Sequence, residues 1–389
     1  MGNKNVIGLS SGTSADGVDA AVIRIKSSGL KTRVTLIDFE TYPYPAGIKK
    51  EILAASSPKT SRVDHICSLN FQIGEIFAKA ALKIIKKSRL KKSDVSLIGS
   101  HGQTIYHIPP GTAQKKMRPS TLQIGEPSLI AEITGITTVA DFRPRDIAAG
   151  GMGAPLTPYV HFLLLGDKKE DRAVLNIGGI SNITVIPKQY HIDKVTAFDT
   201  GPGNMVIDGV VSIITGQKKK YDNRGKMASR GTANKKLLSL LMRHPYIKKP
   251  PPKSTGREEF GNILIDKVLK FAKREKLKNE DLLRTVTEFT AESILFNMKR
   301  FVLKKVDLRR MIVGGGGAKN LTLLSLLKAG LPELSVETME EHHYSSDAFE
   351  AVSFAILANE TISGVPGNLP RVTGARKKAV LGKIIPGRI

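Results

Sequence analysis

Ile7-Gly8-Leu9-Ser10-Ser11-Gly12-Thr13-Ser14-Ala15-Asp16-Gly17-Val18-Asp19 stands near the start of the chain and decides how the rest is read. Val6 to Leu9 is apolar, Ser10 to Asp19 is built of turn residues, and Ala20 to Ile25 returns to β-favouring side chains, which predicts strand, glycine-rich turn, strand. A third apolar run, Val34 to Phe39, follows a Ser-Ser-Gly turn. Glycine at a strand end permits left-handed backbone angles and lets a ligand approach main-chain N–H groups. Successive N–H groups form a concavity suited to phosphate oxygens.

Outward from this hairpin, Val63, Ile66, Leu69, Ile73, Ile76, Phe77, Ala80 and Ile84 recur at helical spacing with lysines on the other face. Short strands are expected at Val95 to Ile98, leading into Ser100-His101-Gly102-Gln103-Thr104, and at Ile136 to Ala140, leading into Asp141-Phe142-Arg143-Pro144-Arg145-Asp146. The pattern then restarts: Ala173 to Ile177, Ile183 to Ile186 and Val195 to Phe198 read as strands broken by glycine turns. Basic, polar Gln217 to Pro252 reads as exposed connections. Two helices follow, one around Phe260 to Ala272 and one from about Glu280 to Leu303. The strand Met311 to Val313 enters Gly314-Gly315-Gly316-Gly317-Ala318-Lys319-Asn320, and Asp347 to Thr361 reads as a last helix. A meander followed by helix and strand, occurring twice, predicts an α/β protein of two similar lobes. Three glycine-rich turns after strands (Ser10 to Gly17, Asp199 to Asn204, Gly314 to Asn320) point to a phosphate clamped between those lobes.

The chain has 389 residues, 41% hydrophobic and 24% charged, with a mean hydropathy of −0.11. That composition excludes a mostly disordered chain. The densest apolar stretch, Tyr159 to Leu165, is far below the ~20 residues of a spanning helix. No signal segment is read at the start, and the single Cys67 removes any internal disulfide framework, so a reduced cytoplasmic compartment is expected. Sixty Lys and Arg against 35 Asp and Glu give +25. The lysines fall in short pairs and triplets rather than one basic arm, and few alternate with aromatics as a stacking groove requires.

Spelling excludes the common alternatives. No glycine-rich segment ends in Gly-Lys-Ser/Thr, and a dinucleotide fingerprint begun at Gly314 or Gly315 meets Lys319 or Asn320 where it needs glycine. The histidines lack helical zinc spacing, and Gly12-Thr13-Ser14-Ala15-Asp16 fails as a nucleophile elbow.

Taken together, the residues resemble the anhydro-N-acetylmuramic acid kinases, of the sugar kinase, actin and heat-shock ATPase superfamily. The resemblance runs from Ile7–Asp19 through His101-Gly102-Gln103-Thr104, Gln123-Ile124-Gly125-Glu126, Asp141-Phe142-Arg143, Gly150 to Pro155 and Asn176-Ile177-Gly178-Gly179. It continues through Phe198-Asp199-Thr200-Gly201-Pro202-Gly203-Asn204 and Gly314 to Asn320, covering nearly the whole chain. Ser10 and Ala15 stand where the family usually has Met and Leu, and the +25 charge is unexpected for it.

The resemblance implies two ribonuclease-H-like lobes of the actin and hexokinase type with an interlobe nucleotide cleft: residues 1–140, to which 364–389 return, and residues 141–363. It implies ATP and magnesium as cofactors, with Gly12, Thr13, Ser14, Ala15, Asp16, Gly17, Val18 and Asp19 around the phosphates and Asp16 toward the metal. Thr200, Gly201, Gly203 and Asn204 would cradle phosphates from the other lobe, and Gly315, Gly316, Gly317 and Lys319 would pass the adenosine. Asp199 resembles the base that activates water against the anomeric carbon of a 1,6-anhydro sugar while O6 takes the γ-phosphate. Glu350 resembles a sugar-contacting glutamate, His101 and Gln103 line the substrate side, and Arg143 and Arg145 are candidates for the lactyl carboxylate. Expected partners are the anhydro sugar and ATP, with no membrane and no nucleic acid, although the charge keeps the latter open; a homodimer is allowed. The rivals are a kinase of a simpler anhydro sugar such as levoglucosan, and a retired scaffold binding nucleic acid through its basic surface.

Overall fold

In the computed structural model, residues 3–12, 14–108, 110, 117–189 and 191–388 are described. The first elements are β1 (Lys4–Ser11), β2 (Gly17–Lys26), β3 (Arg33–Pro43), α1 (Ile48–Ala55), α2 (Val63–Lys87), β4 (Val95–Ile108), β5 (Ser120–Ile124) and α3 (Pro127–Thr134). Then come β6 (Thr138–Ala140), α4 (Phe142–Ala148), α5 (Thr157–Leu165), β7 (Asp171–Ile177), β8 (Ile180–Ile186), β9 (Thr196–Pro202) and α6 (Asn204–Ile214). Next are α7 (Lys235–Met242), α8 (Pro245–Lys248), α9 (Arg257–Phe260), α10 (Asn262–Arg274), α11 (Asn279–Asn297), β10 (Leu308–Gly314), α12 (Leu321–Gly330) and β11 (Ser335–Thr338). The chain closes with α13 (Phe349–Ile362), α14 (Pro370–Thr373) and β12 (Lys383–Ile385).

Two compact units result: Met1–Leu164 with Ala348–Ile389, and Leu165–Asp347. The crossings fall after residues 164 and 347, against the expected 140 and 363. The physical reason is packing: α13 lies against β1, β2 and β4, so it belongs with the first sheet. Buried Asp146 on α4 also ties the returning chain, its carboxylate accepting from Asn368 Nδ2 (2.7 Å), Thr373 Oγ1 (2.8 Å) and the Gly153 N–H (2.8 Å).

The two sheets share one connectivity. In the first, β3-β2-β1 is an antiparallel meander, β4 and β6 add parallel to β1, β5 pairs β4, and β12 closes the edge. In the second, β9-β8-β7 is the meander, and β10 and β11 add in parallel. The twofold pattern read from the sequence is therefore a repeated sheet order, the ribonuclease-H-like plan.

In the first unit, α2 buries Leu69, Ile73, Phe77 and Ile84 against Ile7, Leu9 and Ile98; each such side chain contributes roughly 1.5–3 kcal/mol. Asp64 in its first turn and Lys86 and Lys87 in its last complement the helix dipole. On the opposite face α13 lies so close that a Cβ on Gly8 or Gly99 would strike the backbone of Ala351 or Phe354. In the second unit α11 is buried nearly all round, flanked by β7, β8 and α12 on one side and by α6, α7 and α10 on the other.

Three local expectations are corrected. The strand expected to end at Ile98 runs to Ile108, because Gly102 adopts φ +72° and the irregular strand continues in register with β5. The strand expected to end at Phe198 runs to Pro202, so Asp199 is a strand residue. The segment Gln217 to Pro252 contains α7 and α8, with Leu237, Leu241, Tyr246 and Ile247 buried. Its lysines are exposed. Basic residues number 27 against 14 acidic in the first unit and 33 against 21 in the second, so the positive excess is shared and neither unit alone accounts for it. No described helix is long and apolar enough to cross a membrane.

Candidate active site

Between β1 and β2 the first glycine turn is shorter than expected, spanning Gly12 to Asp16, with the Ala15 N–H donating to the Gly12 carbonyl at 3.0 Å. Thr13 lies outside the described residues. Ser14 and Asp16 are exposed, whereas Ala15 (φ +50°) and Val18 are buried, Val18 in the core beneath α2. Gly17, Val18 and Asp19 belong to β2, so Val18 offers no side-chain contact to a ligand. The turn is anchored from below: Ser11 Oγ lies 2.8 Å from the Gly17 carbonyl and 2.7 Å from Gln103 Oε1, and Gln103 Nε2 donates to the Gly12 carbonyl at 3.3 Å. Gln103 thus supports the turn. Asp16 Oδ1 pairs with Lys49 at 2.6 Å on the surface.

Also in the first unit, β4, α4 and α13 bring His101, Arg143 and Glu350 together. His101 stacks on Phe354 at 4.4 Å. Its Nδ1 faces the Gly102 carbonyl at 3.0 Å and its Nε2 faces Arg143 Nε at 2.8 Å. A carbonyl only accepts and a guanidinium only donates, so the ring is neutral with its proton on Nδ1. Burial, then the Arg143 charge, holds the imidazole well below its ordinary pKa. Arg143 also donates to the Gly153 carbonyl at 2.9 Å. Burial raises the Glu350 carboxyl, Arg143 opposes that, and Asp19 adds to it. Arg145, two residues further along α4, is exposed, because residues at i and i+2 point to different faces. The structure therefore joins Arg143 to the cluster and separates Arg145 from it. His107 on β4 also feels the Arg143 charge, and its buried Nδ1 has no partner among the described residues; sequence reading missed it.

The second unit holds the other two glycine segments. Gly203, Asn204 and Met205 donate their N–H groups to the carbonyls of Gly179, Gly178 and Gly179. The amides expected to cradle phosphate at Gly203 and Asn204 are thus engaged by carbonyls of the β7–β8 hairpin. Thr200 is fully buried, its Oγ1 2.6 Å from Ser181 Oγ. Its carbonyl accepts from Ser293 Oγ (2.8 Å) and Asn297 Nδ2 (2.9 Å), while Thr290 Oγ1 donates to the Gly203 carbonyl (3.0 Å). These three α11 residues were missed, although a polar stripe at spacings of three and four on an otherwise apolar helix is a readable signal. Gly201 has φ +143°, and a Cβ there would strike Ser293 Oγ. Gly201→Val is expected to destabilise the protein by about 3 kcal/mol or more, read as a lowered thermal midpoint; loss of ATP binding in that variant reports unfolding.

Gly315 and Gly317 pack on Ile177, and Gly316 lies beside the Asn204 side chain, so these two glycine segments converge on the β7–β8 hairpin. Lys319 is held by Asp347 at 2.7 Å. A cavity of about 510 Å³ in this unit is lined by Arg224, Lys226, Arg284, Leu321, Thr322 and Ser325, among others; none of the expected site residues lines it.

Asp199 is one of two carboxyls of this unit lifted well above the ordinary range by burial; the other, Asp208, rises to about 7 with Asp222 adding to the effect. Asp199 Oδ2 accepts from Ser254 Oγ and from the Thr255 N–H, both at 2.9 Å, and its backbone carbonyl accepts from the Tyr246 hydroxyl at 3.0 Å. Burial lifts its pKa from 3.8 to about 6 against those hydrogen bonds and the Lys253 charge, and Glu258 adds to the rise. A carboxylate poised there is deprotonated at neutral pH yet basic enough to take a proton. Among the described residues no three His, Cys, Asp or Glu side chains group to hold a metal.

A family model described as anhydro-N-acetylmuramic acid kinase matches residues 4–387. A protein of that name from Caldanaerobacter subterraneus subsp. tengcongensis is 50% identical over 381 residues, covering 97% of this chain and 96% of the relative. One from Clostridioides difficile is 48% identical over 380 residues, covering 98% of each, and one from Bacillus thuringiensis subsp. konkukian is 46% identical over 381, covering 97% and 98%.

Proposed function

The chain belongs to the anhydro-N-acetylmuramic acid kinase family, and from that premise we propose that it opens and phosphorylates 1,6-anhydro-N-acetylmuramic acid with ATP and magnesium. The observation that carries the reading is Asp199, a carboxylate in the middle of β9, held by Ser254 and Thr255 and lifted to about 6. Asp199 takes a proton from water as that water bonds to the anomeric carbon. The bond from that carbon to O6 breaks, and O6 takes the γ-phosphoryl group. Anhydro sugar, water and ATP thus become sugar 6-phosphate, ADP and one proton. The reaction places the protein in cytoplasmic recycling of cell-wall fragments.

Phosphoryl transfer depends on positioning and charge neutralisation. The Gly12–Asp16 turn and the Gly314–Asn320 loop are the segments assigned to the nucleotide. Magnesium suits a single exposed carboxylate, since it keeps most of its water and takes phosphate oxygens. Asp16 fits that description and would hold the ion in place of Lys49; the ion would supply charge neutralisation at the phosphates. On the sugar side Arg143 is assigned to the lactyl carboxylate, with Glu350 and neutral His101 as polar partners.

Two tests follow. Protein, ATP and magnesium are incubated with a panel of anhydro sugars in ¹⁸O-water, and products are weighed at early times. A muramate 6-phosphate carrying one ¹⁸O on the sugar supports coupled hydrolysis; phosphorylation of levoglucosan alone points to the simpler substrate. Arg143→Ala is expected to lower kcat/KM for the muramate about 10–100-fold, the worth of a charge-assisted hydrogen bond, with a smaller loss on levoglucosan. Equal losses on both sugars would remove Arg143 from carboxylate recognition.

A further inference from the structure

The segment 246–255 wraps Asp199 from several sides, and one buried lysine closes the wrap. Lys253 is only 6% exposed, although lysine is almost never buried without a counter-ion, and among the described residues it makes no ion pair. Its Nζ donates to the carbonyls of Tyr246 and Ile247, each at 3.2 Å, and sits over the rings of Tyr246 (4.8 Å) and Phe301 (5.5 Å). Its own carbonyl accepts the Asp199 N–H at 3.1 Å. The two residues that follow it, Ser254 and Thr255, are those that hold the carboxylate. Both ends of Lys253 are therefore committed, one to the backbone of the base and one to the α8 turn whose Tyr246 hydroxyl meets the carbonyl of the base.

We propose that Lys253 is a positioning residue for Asp199: its buried ammonium staples the 246–255 segment around the carboxylate and supplies the cation that keeps that carboxylate ionisable. The proposal rests on Asp199 being the base. An apolar side chain of similar length would leave the Tyr246 and Ile247 carbonyls without a donor and would remove positive charge beside the base. Other charged or titratable groups facing the pair are Glu258, which raises Asp199, Lys249, which opposes the Lys253 charge, and Tyr246, whose hydroxyl is pushed well above its usual range. Burial draws the Lys253 ammonium down to about 8, so its charge is lost within an accessible pH range.

The test is the pH profile of kcat for the wild type, Lys253→Arg and Lys253→Met, with Asp199→Asn as control. The wild type is expected to lose turnover below about 6 and again above about 8. Lys253→Arg keeps the acid limb and loses the alkaline one, because guanidinium stays charged. Lys253→Met lowers kcat about 10–100-fold and moves the acid limb up by roughly one pH unit, with KM for ATP changed less than about twofold. A wild-type profile flat through pH 8, an alkaline limb that survives in Lys253→Arg, or a folded Lys253→Met with an unmoved acid limb overturns the proposal. If Lys253→Met does not fold, the wild-type and arginine profiles decide. Turnover surviving in Asp199→Asn would instead remove the base itself.

Discussion

Asp199→Asn is expected to lower turnover of the anhydro sugar about 10³-fold, the scale of a lost general base, while ATP affinity stays within about twofold of wild type because the nucleotide segments are untouched. Asparagine has nearly the same shape and still offers an oxygen to the Ser254 hydroxyl and the Thr255 N–H, so the strand keeps its geometry there. What is lost is the ability to take a proton. Turnover by steady-state kinetics and nucleotide binding by calorimetry separate the two effects, and unchanged turnover would end the assignment. The same carboxyl sets a stability trend of known sign. Its folded pKa, about 6, lies above the ordinary 3.8, so the native state holds the proton more tightly than the unfolded chain. That contribution is complete below about 3.8 and is lost as pH rises through about 6, on the order of 2–3 kcal/mol. Asp199→Asn removes the titration, so the variant is expected to gain stability over wild type at pH 7, measured by denaturant unfolding.

Gly12→Val and Gly316→Val are expected to fold normally and to lose ATP affinity about 100-fold or more, the cost of blocking close approach of phosphate to backbone. The glycines of this chain divide by what surrounds them. At Gly201, Gly203 and Gly315 an added Cβ would collide with the protein itself, so their substitution tests folding. At Gly12 nothing stands nearer such a Cβ than Ser14 Oγ at 3.9 Å, and at Gly316 nothing nearer than Asn204 Nδ2 at 3.5 Å; neither has a positive φ. The fold therefore leaves room for a larger side chain at both positions, so these substitutions test the proposed nucleotide contacts rather than folding. One variant lies in each unit, so each tests its own segment: lost affinity assigns that segment to the nucleotide, and unchanged affinity releases it. Thermal midpoints close to wild type are required for either reading.

Short-range pattern carried far in this chain. Alternating apolar runs broken by glycine, occurring twice, announced a repeated sheet, because strand period and turn chemistry are local properties. The spelling around Gly12, Asp199 and Gly314 marked the candidate ligand segments and, through the family resemblance, the candidate base. Element ends were less legible. β4 outruns its apolar stretch because Gly102 lets the strand continue, and β9 reaches Pro202 because β8 and α11 satisfy its backbone. Of these partners, α11 lies 93 residues away along the chain.

The amino-acid order by itself determined the fold class, the glycine segments and the identity of the candidate base, since each is written in neighbouring residues. Tertiary structure alone decided which groups are perturbed and what supports them. Burial lifts Asp199, Arg143 imposes one tautomer on His101, and the α11 stripe and Lys253 hold the strand end, through contacts spanning 42 residues in one case and 93 in another. Desolvation and hydrogen bonding depend on distance through space, which the order of residues states only after the chain has folded.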